Sequence, residues 1–241
     1  KRADNALIAA IGLFIASQIP LLLKYHSLLW DEAVYLGIGK AIYSAGQLGL
    51  WEPIRPLGLP VLTGVFWKLG LNQILFSEIL ALAFAIGTVI MVYLTGKSAF
   101  DRQTATIAAL ALAFTPIFFE QSSRILTEIP STLLALLAVY FFIKNRYALS
   151  GLFAGFAFMF KFPLGLVFFG IFIFLIFNNF IFNDFKASKP AKAELVKLAA
   201  AFAIPVLPFI ILNYFLYSPQ VSGLLEAAFT RCRQDPWVPE N

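Results

Sequence analysis

The chain has 241 residues, 60% hydrophobic and 13% charged, with a mean hydropathy of +0.83 and a formal net charge of +5. Long continuous apolar runs make it an all-α polytopic membrane protein and exclude a β-barrel, whose strands would alternate. One cysteine, Cys232, excludes an internal disulfide or a Cys-rich metal site, and one histidine, His26, argues against a His-based metal site or a Ser-His-Asp triad.

The basic excess points to anionic lipid and not to nucleic acid, since no soluble basic domain exists to hold a duplex. Lys1 and Arg2 precede an apolar segment over 6–23, so the positive-inside bias puts the N-terminus in the cytoplasm and Lys24 onward outside. With no separate cleavable signal, this first span is expected to stay as an anchor. Residues 24–73 then form the first outer loop. Trp30-Asp31-Glu32 places two adjacent carboxylates directly after the span. They suit the first turn of an interfacial helix, where acids favour the dipole, and they equally suit an active site on the outer face. Residues 57–70 are apolar but reach only about 21 Å as a helix, so a juxtamembrane or re-entrant helix is expected there.

A second span over 74–95, with Glu78 early in it, ends inside at Lys97 and Arg102. A third over 103–119 returns to an outer loop at 120–127, and a fourth over 129–143 goes in to Lys144 and Arg146. Residues 148–182 are apolar except for Lys161. Pro163 disfavours helical geometry at Phe162, which predicts spans over 148–161 and 163–182 with Lys161 at the outer turn. Lys186, Lys189, Lys192 and Lys197 then fall inside. A last span over 195–217, interrupted by Pro205 and Pro208, leads to an extracytoplasmic tail at 218–241. The expected architecture is about seven spans over 1–217 with juxtamembrane helices in the first outer loop.

Basic residues on the outer side run against the orientation bias. Lys161 stands among Phe158, Met159, Phe160 and Phe162, where it needs a counter-ion or must snorkel to the interface. Arg55 lies between Pro53 and Pro56, and a guanidinium held that way suits a phosphate oxygen pair or a lipid headgroup. Arg124 and Glu128 share the same outer level as Asp31 and Glu32. Thr127 is the expected N-cap of the helix that Pro130 enters at its first turn. Glu78 is a further candidate for the cavity.

In this order and spacing the residues resemble the GT-C class of membrane glycosyltransferases, nearest the protein O-mannosyltransferase and lipid A aminoarabinose transferase group. The resemblance runs over about 1–217. It rests on Trp30-Asp31-Glu32, Arg55-Pro56 leading to Trp67-Lys68, Gly96-Lys97-Ser98-Ala99-Phe100-Asp101-Arg102, Ser123-Arg124 with Glu128, and Ser150-Gly151-Leu152 through Gly155 to Lys161. It implies a seven-helix core and transfer of a sugar from a polyprenyl-phosphate carrier to a protein, lipid or glycan acceptor on the extracytoplasmic face of the cell membrane, or of the endoplasmic reticulum in a eukaryote. By that analogy Asp31, with Glu32 beside it, would activate the acceptor, Arg55 and Lys161 would hold the carrier phosphate, and Arg124, Glu128 and Glu78 would line the sugar or acceptor pocket. A hexosyl or pentosyl transferase that inverts configuration and needs no cofactor is expected. A divalent cation between Asp31 and Glu128 is the alternative in chemistry. A non-catalytic polyprenyl-lipid binder or transporter subunit is the alternative in function. Members of that class usually carry several more spans, and often a soluble domain, after such a core.

Overall fold

The computed structural model describes residues 2–23, 27–52, 55–180 and 193–211, and among these there are α-helices and one 3-10 turn but no strand. Helix α1 (Arg2–Leu23) is followed by α2 (Trp30–Tyr43), α3 (Gly58–Lys68) and α4 (Gln73–Ala99). Then come α5 (Arg102–Ala113), α6 (Pro116–Gln121), α7 (Glu128–Ile143) and α8 (Tyr147–Phe160). A 3-10 turn (Phe162–Leu164) separates α8 from α9 (Gly165–Phe180), and α10 spans Ala193–Ile211.

The all-helical class expected from composition is therefore found among the described residues, whereas the expected count of about seven spans is not established by them. By length and composition, α4 and α10 qualify as membrane-crossing helices, and Ile11–Leu22, α7, α8 and Phe162–Phe177 are shorter apolar stretches. Expected features at 24–26, 53–54, 181–192 and 212–241 lie outside the described residues, including His26, Cys232, the lysine-rich loop up to Lys192 and the tail.

Two predicted breaks need adjustment. The single segment expected over 103–119 is two helices, because Pro116 opens α6 and holds Thr115 extended at φ −67°, ψ 123°. Conversely, α10 runs helical through Pro205 and Pro208 to Ile211, where interruption was expected. The Pro205 ring packs against Gly155 of α8, which has no side chain to oppose it. Neighbouring helices commonly accommodate proline in apolar helices in this way. At the third break the expected split is found one residue early: Lys161 leaves α8 in extended conformation, φ −154°, ψ 109°, whereas Phe162 itself belongs to the 3-10 turn.

Two larger apolar clusters carry most of the packing among the described residues. Phe14 of α1 meets Ala85 and Val89 of α4, Ala105 and Ala109 of α5, and Phe118 of α6. Ala138, Tyr147, Ala154, Phe168, Leu175 and Leu198 join α7, α8, α9 and α10. Between them, Tyr35, Leu36, Leu59, Ile125 and Phe160 form a smaller cluster that floors the site described below.

Small residues set the helix spacing. Gly39 of α2 faces Gly64 of α3 backbone to backbone, and Gly151 and Gly155 bring α8 onto α10 at Leu198 and Phe202. Glycines four apart are the usual means of close helix approach in membranes. A side chain at Gly151 would meet the Leu198 carbonyl oxygen. Gly151→Val is accordingly expected to cost about 1–3 kcal/mol, as overpacked cores do, and to lower the melting temperature in detergent. An unchanged melting temperature would show that α8 and α10 do not pack through this pair.

Candidate active site

Helix α2 begins with Trp30-Asp31-Glu32, and its first turn carries both acids. Successive helical residues are turned about 100° apart, so the two carboxylates cannot share a direction. Asp31 keeps 48% of its side chain exposed, whereas Glu32 is fully buried. Tyr35, one turn on from Asp31, lies on the Asp31 face.

The loop after α2 folds back along it, with the Leu50 N–H donating to the Gly37 carbonyl at 3.3 Å. This return brings Arg55 to Asp31. Arg55 Nη2 donates to Asp31 Oδ1 at 2.8 Å, and Nε donates to Glu52 Oε2 at 3.2 Å. The guanidinium carbon stands 5.6 Å from the centre of the Tyr35 ring. Partial burial opposes the Arg55 charge, but hydrogen bonding with Asp31, Tyr35 and Glu52 outweighs it and holds the group above its ordinary range.

A second charged pair stands opposite. Lys161, freed from the end of α8 by the Phe162-Pro163 turn, donates from Nζ to Glu128 Oε1 at 2.7 Å. Glu128 opens α7. Thr127 occupies the expected N-cap position, but its hydroxyl makes no capping bond, because its backbone is already helical at φ −87°, ψ −12°.

Asp31, Tyr35, Glu52, Arg55, Glu128 and Lys161 line one open cavity of about 410 Å³. Ion pairs this exposed contribute at most about 1 kcal/mol each to stability. Their convergence is therefore poorly explained by folding. An apolar groove of about 480 Å³ adjoins it, lined by Leu57, Leu62, Phe84, Leu134, Met159 and Phe160 among others. Pro56 and Lys161 belong to the charged cavity, and their chain neighbours Leu57 and Phe160 belong to the groove. A separate cavity of about 590 Å³, lined by Ala33, Gly37, Lys40 and Trp67, lies on the opposite face of α2.

Four of the residues singled out from sequence thus meet: Asp31, Arg55, Glu128 and Lys161. Glu32 and Arg124 stand behind them, with Arg124 Nη1 3.5 Å from Glu32 Oε2. Glu78 is 4% exposed on α4 and does not line the cavity. Tyr35 and Glu52 were not singled out. Their signals were local: Tyr35 is four residues after Asp31 on a helix, and Glu52 is three before Arg55. Among the described residues no group of three or more His, Cys, Asp or Glu side chains is placed to hold a metal ion.

Chemically, the cavity offers two cations to an anionic group and three partly exposed carboxylates, Asp31, Glu52 and Glu128, to proton donors. Residues 55–211, more than half of the chain, match the family described as dolichyl-phosphate-mannose-protein mannosyltransferase. The match includes Arg55, Glu128 and Lys161 and begins after Asp31. No curated protein and no solved structure matches the chain.

Proposed function

The chain belongs to the dolichyl-phosphate-mannose-protein mannosyltransferase family, and from that premise we propose that it transfers a sugar from a polyprenyl-phosphate carrier to an acceptor hydroxyl on the extracytoplasmic face of the membrane. The observation that carries this reading is the junction of a charged cavity with an apolar groove. A lipid-linked sugar phosphate has the same two halves. Its isoprenoid tail would lie along Leu57, Leu62 and Phe84, and its phosphate would enter between Arg55 and Lys161.

Without a ligand both cations are occupied, Arg55 by Asp31 and Lys161 by Glu128. A carrier phosphate competes for them with more oxygen acceptors and more charge. As Arg55 turns to the phosphate, Asp31 Oδ1 is released to accept the acceptor hydroxyl proton. The acceptor oxygen then bonds to the anomeric carbon while the bond from that carbon to the phosphate oxygen breaks. The electron pair leaves with the phosphate, where Arg55 and Lys161 meet the growing charge. Glu128, adjoining the sugar, would orient its hydroxyls.

Asp31 acting as base on the acceptor gives a single displacement, so the product is expected with inverted anomeric configuration. Two fixed cations at the phosphate remove the need for a metal ion in this scheme, for a hexosyl or a pentosyl donor alike. The topology proposed with it is multi-pass, with about seven spans and the N-terminus in the cytoplasm. Lys97 in the last turn of α4 and Lys144 at the end of α7 would then lie at the inner level, each within 6 Å of a tyrosine ring, at 5.8 and 5.5 Å.

Sealed vesicles holding the purified chain, with the N-terminus inside, provide the test. Radiolabelled sugar is expected to pass from polyprenyl-phosphate donors to acceptors supplied on the outer side, with inversion and with EDTA present. Product on the inner side would overturn the topology. No product from any donor, with carrier still bound, would make the chain a polyprenyl-lipid binder.

A further inference from the structure

We propose that Glu32 is a positioning residue that clamps the 122–127 loop onto the start of α2, so that one buried carboxylate sets the spacing of the two charged pairs. The inference rests on the charged cavity being the site of transfer. Glu32 sits next to Asp31 in the chain, yet nothing in its geometry lets it meet an acceptor. Its side chain is fully buried, and both oxygens are taken.

Oε2 accepts from the Leu29 N–H at 2.7 Å and faces Arg124 Nη1 at 3.5 Å. Oε1 accepts from the Ile125 N–H at 3.0 Å. Arg124 Nη1 also donates to the Ser27 carbonyl at 3.4 Å. One carboxylate therefore ties the residue that precedes α2 to a loop more than ninety positions later in the chain, the Glu32–Ile125 separation being 93. Ile125, itself fully buried, wedges into the cluster of Tyr35, Leu36, Leu59 and Phe160.

What hangs from this clamp is the cavity. One residue before Glu32, Asp31 holds Arg55. Three residues after Ile125, Glu128 opens α7 and holds Lys161. The pairs Asp31–Arg55 and Glu128–Lys161 come from segments far apart in the chain. Glu32 supplies a polar connection between those segments, from the residues flanking each pair. A buried carboxylate is costly unless satisfied, and here two N–H donors and a guanidinium satisfy it. Such a group cannot drift without leaving a donor unmatched, which makes the connection stiff.

Glu32→Gln keeps the size and one acceptor oxygen, but turns an amide NH2 toward a backbone N–H or toward Arg124. The expected result has three parts. Hydrogen exchange of the Ile125 amide quickens in folded, monodisperse protein. The turnover number falls about 10- to 100-fold while the KM for the carrier changes less than about threefold, because misplacement of about 1 Å costs rate before binding. The acidic limb of the pH–rate profile stays where it is, since the proton acceptor is untouched. Glu32→Gln combined with Arg124→Gln removes both charges and restores an amide pair, so its turnover is expected to exceed the product of the two single losses.

Loss of the acidic limb in Glu32→Gln would overturn the proposal by making Glu32 the proton acceptor. Unchanged turnover with unchanged Ile125 exchange would overturn it by showing no clamp. Arg124→Gln leaves Glu32 its two N–H donors and serves if Glu32→Gln fails to fold, with the same changes expected at smaller size and unchanged values again counting against the clamp. Should the wild-type chain transfer no sugar, the functional reading fails, while Ile125 exchange still decides whether the clamp exists.

Discussion

Asp31→Asn is expected to abolish measurable sugar transfer, with a fall in turnover of about 10²- to 10⁴-fold, the usual contribution of a positioned proton acceptor. The substitution is nearly isosteric, and the amide oxygen can still accept from Arg55 Nη2, so the site should keep its shape. Asp31 is 48% exposed and anchors no core contact, so melting temperature should change little. Binding of polyprenyl phosphate should hold or tighten slightly, because the phosphate no longer competes with a carboxylate for Arg55. The four charged groups facing Asp31 or sharing its cavity are Arg55, Glu52, Glu128 and Lys161. Of these Glu52 and Glu128 are the other acids, Glu52 bonded to Arg55 at 3.2 Å and Glu128 to Lys161 at 2.7 Å. A folded Asp31→Asn variant with undiminished turnover would move the base to Glu128 or Glu52, and Glu128→Gln and Glu52→Gln would then show which of the two is the inactive variant.

Arg55→Ala is expected to act on the carrier instead. A hydrogen bond from a charged donor is worth roughly 1.5–3 kcal/mol, so losing the guanidinium should weaken polyprenyl-phosphate binding about 10- to 100-fold. Some of that loss is offset because Asp31 is no longer tied up. Arg55→Lys separates charge from geometry. An ammonium keeps the charge but lacks the planar fork that spans two phosphate oxygens, and it cannot reproduce the simultaneous bonds to Asp31 and Glu52. Its affinity should fall between wild type and Arg55→Ala. Equal affinity for all three chains, measured by equilibrium binding of a labelled carrier, would remove Arg55 from the phosphate site and leave it as the partner of Asp31 and Glu52 alone.

Both predictions concern residues that could be picked out before any fold was known, and the reason is physical. A charge beside an apolar span is expensive unless it has a function or a partner, so Asp31, Arg55, Glu128 and Lys161 stand out against a background of Phe, Leu and Ala. The break at Lys161 was legible because Phe162-Pro163 restricts the backbone locally. Helices α4, α7 and α8 were legible because charged or polar residues stand at or next to their ends, Gln73 and Lys97 for α4, Glu128 and Lys144 for α7, Arg146 and Lys161 for α8. Proline was a poorer guide elsewhere: Pro116 divides a segment read as continuous, whereas Pro205 and Pro208 leave α10 unbroken. The difference lies in what each ring packs against, and for Pro205 that is a glycine on another helix.

The sequence by itself determined the all-helical membrane class and the charged residues that could serve an active site, because hydropathy and uncompensated charge are properties of short stretches of chain. It could not separate Asp31 from Glu32, two adjacent acids of the same chemistry. That distinction is made by the 100° turn between successive helical residues together with the arrival of the 122–127 loop, which covers one carboxylate and leaves the other open. Nor could it show that Glu78 turns away from the cavity, or that Thr127 leaves its helix uncapped. Only the tertiary structure decided these, since each depends on which distant segment fills the space around a side chain.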